Sequence, residues 1–259
     1  MFIGTTASSS GAGDPAGTGA SVRRSTVVAG YTGDGAAARA ALSNESPAVR
    51  AAGLSALARL RMLEPQELRA ALGDRAALVR RRACELAGRP GFAGMGSSGW
   101  AVAGGALTRA LSDPDPTVVE AACYALGELG AGDVPWQEES DLALEARGAP
   151  ARGAPAGEVL DARAGEVVGP LAAIATSHPE PLCREAAVAA LGALGHPDGL
   201  RAVLAAMRDK PAVRRRAAVA LAAFEAPEAE LALEGAAQDR DWQVRQVAED
   251  LLGRRPGRP

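Results

Sequence analysis

The chain has 259 residues, 47% of them hydrophobic but only 3% aromatic, so its apolar content is mostly Ala, Leu and Val. That mixture suits closely packed helices, because alanine has the best helix propensity and lets backbones approach. It excludes a β-sandwich, which needs more β-branched and aromatic residues. A net charge of −3 provides no global basic field to draw the chain onto nucleic acid or anionic lipid.

Residues 1–22 are rich in Ser, Gly, Thr and Ala and predict a disordered N-terminal segment. The N-terminus lacks a basic leader followed by a hydrophobic core, so no secretion signal is expected and the cytoplasm is the default location. No apolar run is long enough to span a membrane.

Beyond residue 22 one pattern recurs. A valine-arginine pair opens an alanine-rich helix at Val49-Arg50, Val79-Arg80, Val213-Arg214 and Val244-Arg245, with relatives at Val118-Val119 and Cys183-Arg184. Successive anchors lie about thirty residues apart, apart from two longer steps, which marks one structural unit copied along the chain. Two positions before the anchor stand Pro47, Pro116, Pro181 and Pro211, suited to a first helical turn. Just ahead of three first turns, Ser46, Asp115 and Asp241 supply capping side chains. Five before the anchor, Asn44, Asp74, Asp113, His178 and Asp239 mark a tight turn, with Asp209 slipped by one.

Apolar residues at plus four and plus eight, as in Val213, Ala217 and Leu221, draw one stripe down each helix. Gly88, Gly130, Gly195 and Gly253 are expected to reverse the chain after these helices. Preceding amphipathic segments at 36–43, 65–72, 100–111, 167–176, 198–207 and 227–237 complete six antiparallel pairs. The organisation read from this is repeats 1–3 over 23–130, an acidic low-complexity insertion over 131–165, repeats 4–6 over 166–254 and a basic tail at 255–259.

The D-x-x-x-x-V-R spacing, the alanine after it and the unit of about 31 residues resemble HEAT repeats, closest to the short bacterial kind named after phycobilisome lyases. The resemblance covers roughly residues 30–254. It implies an all-α fold, a right-handed α-solenoid with the second helix of each pair lining a concave face. It also implies that recurring Asp and Arg form a ladder, which would make Arg50, Arg80, Arg184, Arg214 and Arg245 structural.

Several enzymes share such repeats, and a lyase- or hydroxylase-like enzyme or enzyme accessory is the third, disfavoured reading: nothing distinguishes a phycobilin lyase here from generic repeats, and the motifs of the others are missing. The hydroxylases among them hold iron with repeated His-Glu pairs, whereas this chain has only His178 and His196, each followed by proline. Trp242, Arg240 and Asp241 are of the types that a HEAT-like glycosylase cleft would use, but they lie at a helix start, where Asp241 caps. The three cysteines, Cys84, Cys123 and Cys183, are odd in number and far apart, which suits neither a disulfide framework nor zinc. Neither a phosphate-binding loop nor a nucleophile elbow occurs. The expectation is no catalytic residue, no cofactor and no metal.

What remains is a surface. Plus two and plus six point away from the core stripe and place Arg81, Glu120, Glu185 and Arg215 beside Glu85 and Tyr124. With Glu128 these form a mixed, acid-leaning face around one aromatic ring, which fits a protein partner better than a nucleic acid. Trp136, an apolar point in the acidic insertion, is a further candidate contact. The competing reading is nucleic-acid binding through Arg80-Arg81-Arg82 and Arg214-Arg215-Arg216. Consecutive helix positions diverge by about 100°, so neither triplet makes one patch. All but one of the 28 basic residues are arginine, but Ala, Gly and Pro are abundant too, which points to compositional bias before phosphate recognition.

Overall fold

In the computed structural model of the chain, residues 15–89, 97–130 and 156–253 are described. Every secondary-structure element among them is helical, and the described residues fall into two compact units divided after Leu63.

The first unit holds α1 (Pro15–Thr32), α2 (Gly35–Ala40), which runs on into a 3-10 turn at Ala41–Ser43, and α3 (Pro47–Arg59). Helix α1 corrects the expectation of disorder to residue 22, since the chain is helical from Pro15 onward. Its hydroxyls, which composition reads as a sign of disorder, are satisfied inside the helix: Ser25 Oγ and Thr26 Oγ1 both donate to the Val22 carbonyl at 2.8 Å. At Gly30 the helix lies directly on α3, where a Cβ would fall 2.9 Å from Ala56 Cα. Residues 1–14 lie outside the described residues.

The second unit contains five pairs. They are α4 (Pro65–Leu72) with α5 (Ala77–Ala87), α6 (Ser97–Ala110) with α7 (Pro116–Gly130), α8 (Ala156–Ser177) with α9 (Pro181–Leu194), α10 (Leu200–Ala206) with α11 (Pro211–Leu221), and α12 (Pro227–Ala236) with α13 (Trp242–Gly253). The second helices α5, α7, α9, α11 and α13 form one row, each packed on the next. Helix α8 begins at Ala156, so 156–165 belongs to a repeat and not to the insertion. The rest of the insertion, 131–155, lies outside the described residues. The row continues across it, because α9 packs directly on α7.

The sequence columns have physical counterparts. Val118, Ala122 and Leu126, like Val213, Ala217 and Leu221, are fully buried. Proline opens α3, α4, α7, α9, α11 and α12, where its missing N–H has no helical partner to lose. In the turns, Oδ1 of Asp74, Asp113 and Asp239 accepts the N–H two residues on, at 2.8–2.9 Å. Asp115 and Asp241 cap α7 and α13. Ser46 does not cap α3; its side chain makes no cap bond, and its own N–H is held by Asn44 Oδ1.

One column escaped the sequence reading. A Cβ at Gly88, Gly127 or Gly192 would lie 2.7–2.9 Å from the Cα of Ala125, Ala190 or Ala220 on the next second helix. A glycine nine after one anchor therefore seats the alanine seven after the next. Of the glycines expected to reverse the chain, Gly195 does so with φ +61°. Gly88 caps α5 with φ −79° and serves the close approach instead, while Gly130 and Gly253 end α7 and α13 within the helix.

Candidate functional site

The arginine columns divide by role. Arg80 holds Asp113 of the next repeat with two parallel bonds, Nε–Oδ2 2.7 Å and Nη2–Oδ1 2.8 Å. Arg184 holds Asp209 in the same way at 2.6 and 2.8 Å, and Arg214 holds Asp239 at 2.8 and 2.7 Å. Each also donates Nη1 to a carbonyl of its own turn: Asp74, His178 and Asp209, respectively. Arg50 and Arg245 make the turn bond, to the Asn44 and Asp239 carbonyls. The paired guanidinium, opposed by burial, holds the carboxyls of Asp113, Asp209 and Asp239 below the usual aspartate range. This ladder stitches consecutive turns together.

The solvent side of the second-helix row carries the candidate site. On α7, Glu120, Tyr124 and Glu128 stand four residues apart and form one stripe. Facing them on α5, Arg81 Nε donates to Glu85 Oε1 at 2.9 Å, and Arg82 Nη1 donates to Glu85 Oε2 at 2.7 Å. Between the two helices lies a cleft of about 210 Å³, bounded by Arg81, Glu85, Glu120, Tyr124 and Glu128 and floored by Gly88, Ala121 and Ala125. The floor is low because Gly88 brings the two backbones together. Five sequence-predicted residues thus meet: Arg81, Glu85, Glu120, Tyr124 and Glu128.

Tyr124 is 40% exposed, and among the described residues its hydroxyl has no hydrogen-bond partner. Burial of the ring raises its pKa; Arg216 opposes this, and Glu185 and Glu120 add to it. Glu185 on α9 lies 3.6 Å from Arg216 Nη2 of α11. The charged face therefore continues from the cleft across α9 to α11, where Val219 is also exposed.

The other predicted contacts fall elsewhere. Arg215 reaches away to α13, where Nη1 donates to Gln243 Oε1 at 2.6 Å. Trp136 lies outside the described residues, as does the tail 255–259. Arg216 was missed by sequence reasoning, which treated it only as one of a triplet. Its column, three after the anchor, also contains Arg82, and both face a glutamate. Arg216 Nε is buried without a hydrogen-bond partner among the described residues.

Among the described residues no group of three or more His, Cys, Asp or Glu side chains converges as a metal site. Both histidines work in turns, where His178 Nδ1 accepts the Glu180 N–H and His196 Nδ1 accepts that of Asp198. The three cysteines are buried, and burial pushes the thiol of Cys84 up to about 12, that of Cys183 up to about 11, and that of Cys123 upward as well. No described helix is long and apolar enough to cross a membrane.

Comparison with known proteins agrees with this architecture. Residues 168–253 match the family profile of HEAT repeats, and residues 105–132 match that of a single HEAT repeat. No curated protein matches the chain. Among solved structures, an engineered structural-genomics protein aligns with TM-score 0.55 at 18% identity, over 85% of this chain and 95% of its own. A designed armadillo repeat protein, solved in complex with the peptide (KR)4, aligns with TM-score 0.55 at 14% identity, over 83% and 96%. Importin beta aligns with TM-score 0.57 at 15% identity over 93% of this chain, which spans only 32% of importin beta's length. At these identities the likeness is one of fold.

Proposed function

We propose that the chain, whose residues 105–132 and 168–253 match HEAT-repeat profiles, is a HEAT-repeat protein that works as a non-catalytic cytoplasmic scaffold or adaptor without metal or cofactor. Its partner is a protein or peptide segment that lies along the solvent side of α5, α7, α9 and α11. The observation that carries this reading is the cleft itself: an exposed tyrosine without a hydroxyl partner, flanked by carboxylates, over a floor of glycine and alanine. Aromatic anchors in partly desolvated clefts with polar rims are where protein interfaces concentrate their energy. The designed armadillo repeat protein, solved with a bound peptide, supports such use of a helical-repeat face.

The competing reading, nucleic-acid binding through the arginine triplets, is weakened by the engagement of those arginines. Arg80 and Arg214 belong to the ladder, Arg81 and Arg82 share Glu85, Arg216 faces Glu185 and Arg215 bonds Gln243. A phosphate-binding face needs cations free to displace counterions. To separate the two, the tagged protein is purified with and without nuclease, alongside a Tyr124→Ala variant. The scaffold reading expects a protein partner that survives nuclease and is lost with the variant. Co-purifying nucleic acid, with protein partners vanishing after nuclease, would overturn it.

A further inference from the structure

Resting on the reading of this face as a docking surface, we infer that the α5–α7 cleft takes the arginine or lysine side chain of an extended basic peptide segment. The argument is one of charge complementarity. Of the charged groups on the cleft wall, Arg81 is occupied by Glu85, which is also bonded by Arg82 from outside the cleft. The carboxylates of Glu120 and Glu128 have no ion-pair or hydrogen-bond partner among the described residues, although both line the cleft. Each sits about 6 Å along α7 from Tyr124, at four residues' rise. A cation lying on the Tyr124 ring therefore has a carboxylate within reach on either side.

The ring suits this occupant: it is half-exposed, and an aromatic face attracts a guanidinium or ammonium group through its quadrupole. The floor suits it as well, because Gly88, Ala121 and Ala125 leave room for the aliphatic stem of a long basic side chain. An acidic segment would meet two unneutralised carboxylates, and a bulky apolar one would strand them beside a desolvating surface without a counter-charge. The neighbouring Glu185 is already served by Arg216, which sets the cation site on α7 and not on α9.

The test is titration of a dye-labelled (Arg-Ala)4 peptide, with (Glu-Ala)4 and a single-stranded oligonucleotide as comparators. The Arg peptide alone is expected to bind, weakening as salt rises. Glu120→Gln with Glu128→Gln is expected to cost roughly tenfold in affinity, as is Tyr124→Leu. Glu228→Gln with Glu230→Gln, on the first turn of α12, removes the same charge elsewhere and is expected to leave binding unchanged. Equal loss in the α12 variant, or no binding of the Arg peptide, overturns the inference. The docking reading fails separately: a cellular partner retained by Glu120→Gln/Glu128→Gln but lost in Tyr124→Ala keeps the face and refutes the basic segment, whereas one retained by both refutes the face.

Discussion

Replacing Arg214 with alanine is the sharpest perturbation the ladder offers. Arg214 is 4% exposed, and its guanidinium makes two bonds to Asp239 and one to the Asp209 carbonyl. Its loss leaves the Asp239 side chain, 13% exposed, with the backbone N–H of Asp241 as its remaining hydrogen-bond donor among the described residues. Breaking a buried pair by removing one partner costs about 3–5 kcal/mol, mostly from the stranded charge. Arg214→Met with Asp239→Asn removes both charges and should cost distinctly less. Because each repeat contacts only its neighbours, the damage should be local. Urea denaturation gives the magnitude, and hydrogen exchange over α11 to α13 gives the place. The reasoning is refuted if Arg214→Ala costs no more than Arg81→Ala, whose exposed pair with Glu85 is expected to contribute at most about 0.5 kcal/mol.

Three further outcomes are expected. Gly127→Val drives side-chain atoms into Ala190 and should cost about 1–3 kcal/mol, whereas Gly169→Ala on α8, with nothing within 4 Å, should stabilise by about 0.5–1 kcal/mol; thermal melts decide both. Asp113, Asp209 and Asp239 have depressed folded pKa values, so their pairs contribute fully above the unfolded carboxyl value of about 3.9 and lose that contribution as pH falls through the folded values. Urea midpoints should accordingly hold level from neutral pH to about 5 and drop below about 4, less steeply in Arg80→Met. The native cysteines, buried and with raised pKa values, should resist a thiol reagent at mildly alkaline pH and react together on unfolding; ready labelling of the folded protein would contradict their burial.

Much of the architecture was legible because each repeat column does one physical job. The Val213, Ala217, Leu221 stripe is core, Pro211 opens a helix, and Asp239 both shapes a turn and holds the arginine of the preceding repeat. The glycine at plus nine was not legible, since in sequence it looks like a helix stop, and only the placement of Ala125 or Ala190 shows the contact. Helix α1 was missed for a related reason. Ser25 and Thr26 resemble linker residues until their hydroxyls are seen bonded to the turn below. At the candidate site, helical spacing brought Glu120, Tyr124 and Glu128 together correctly. It could not show that Arg215 leans toward α13 while Arg216 turns toward Glu185, because a long side chain's direction is set by what it finds to bond.

The most direct test of the docking face is site-specific photo-crosslinking in living cells of the native source. A benzophenone side chain is placed at Tyr124 in one variant and at Leu231, an exposed α12 residue, in another. A nuclease-resistant crosslink to one protein from position 124, absent from position 231, is the predicted result. Crosslinks from position 231 alone, or to nucleic acid from position 124, would contradict a protein-docking face on α5 and α7.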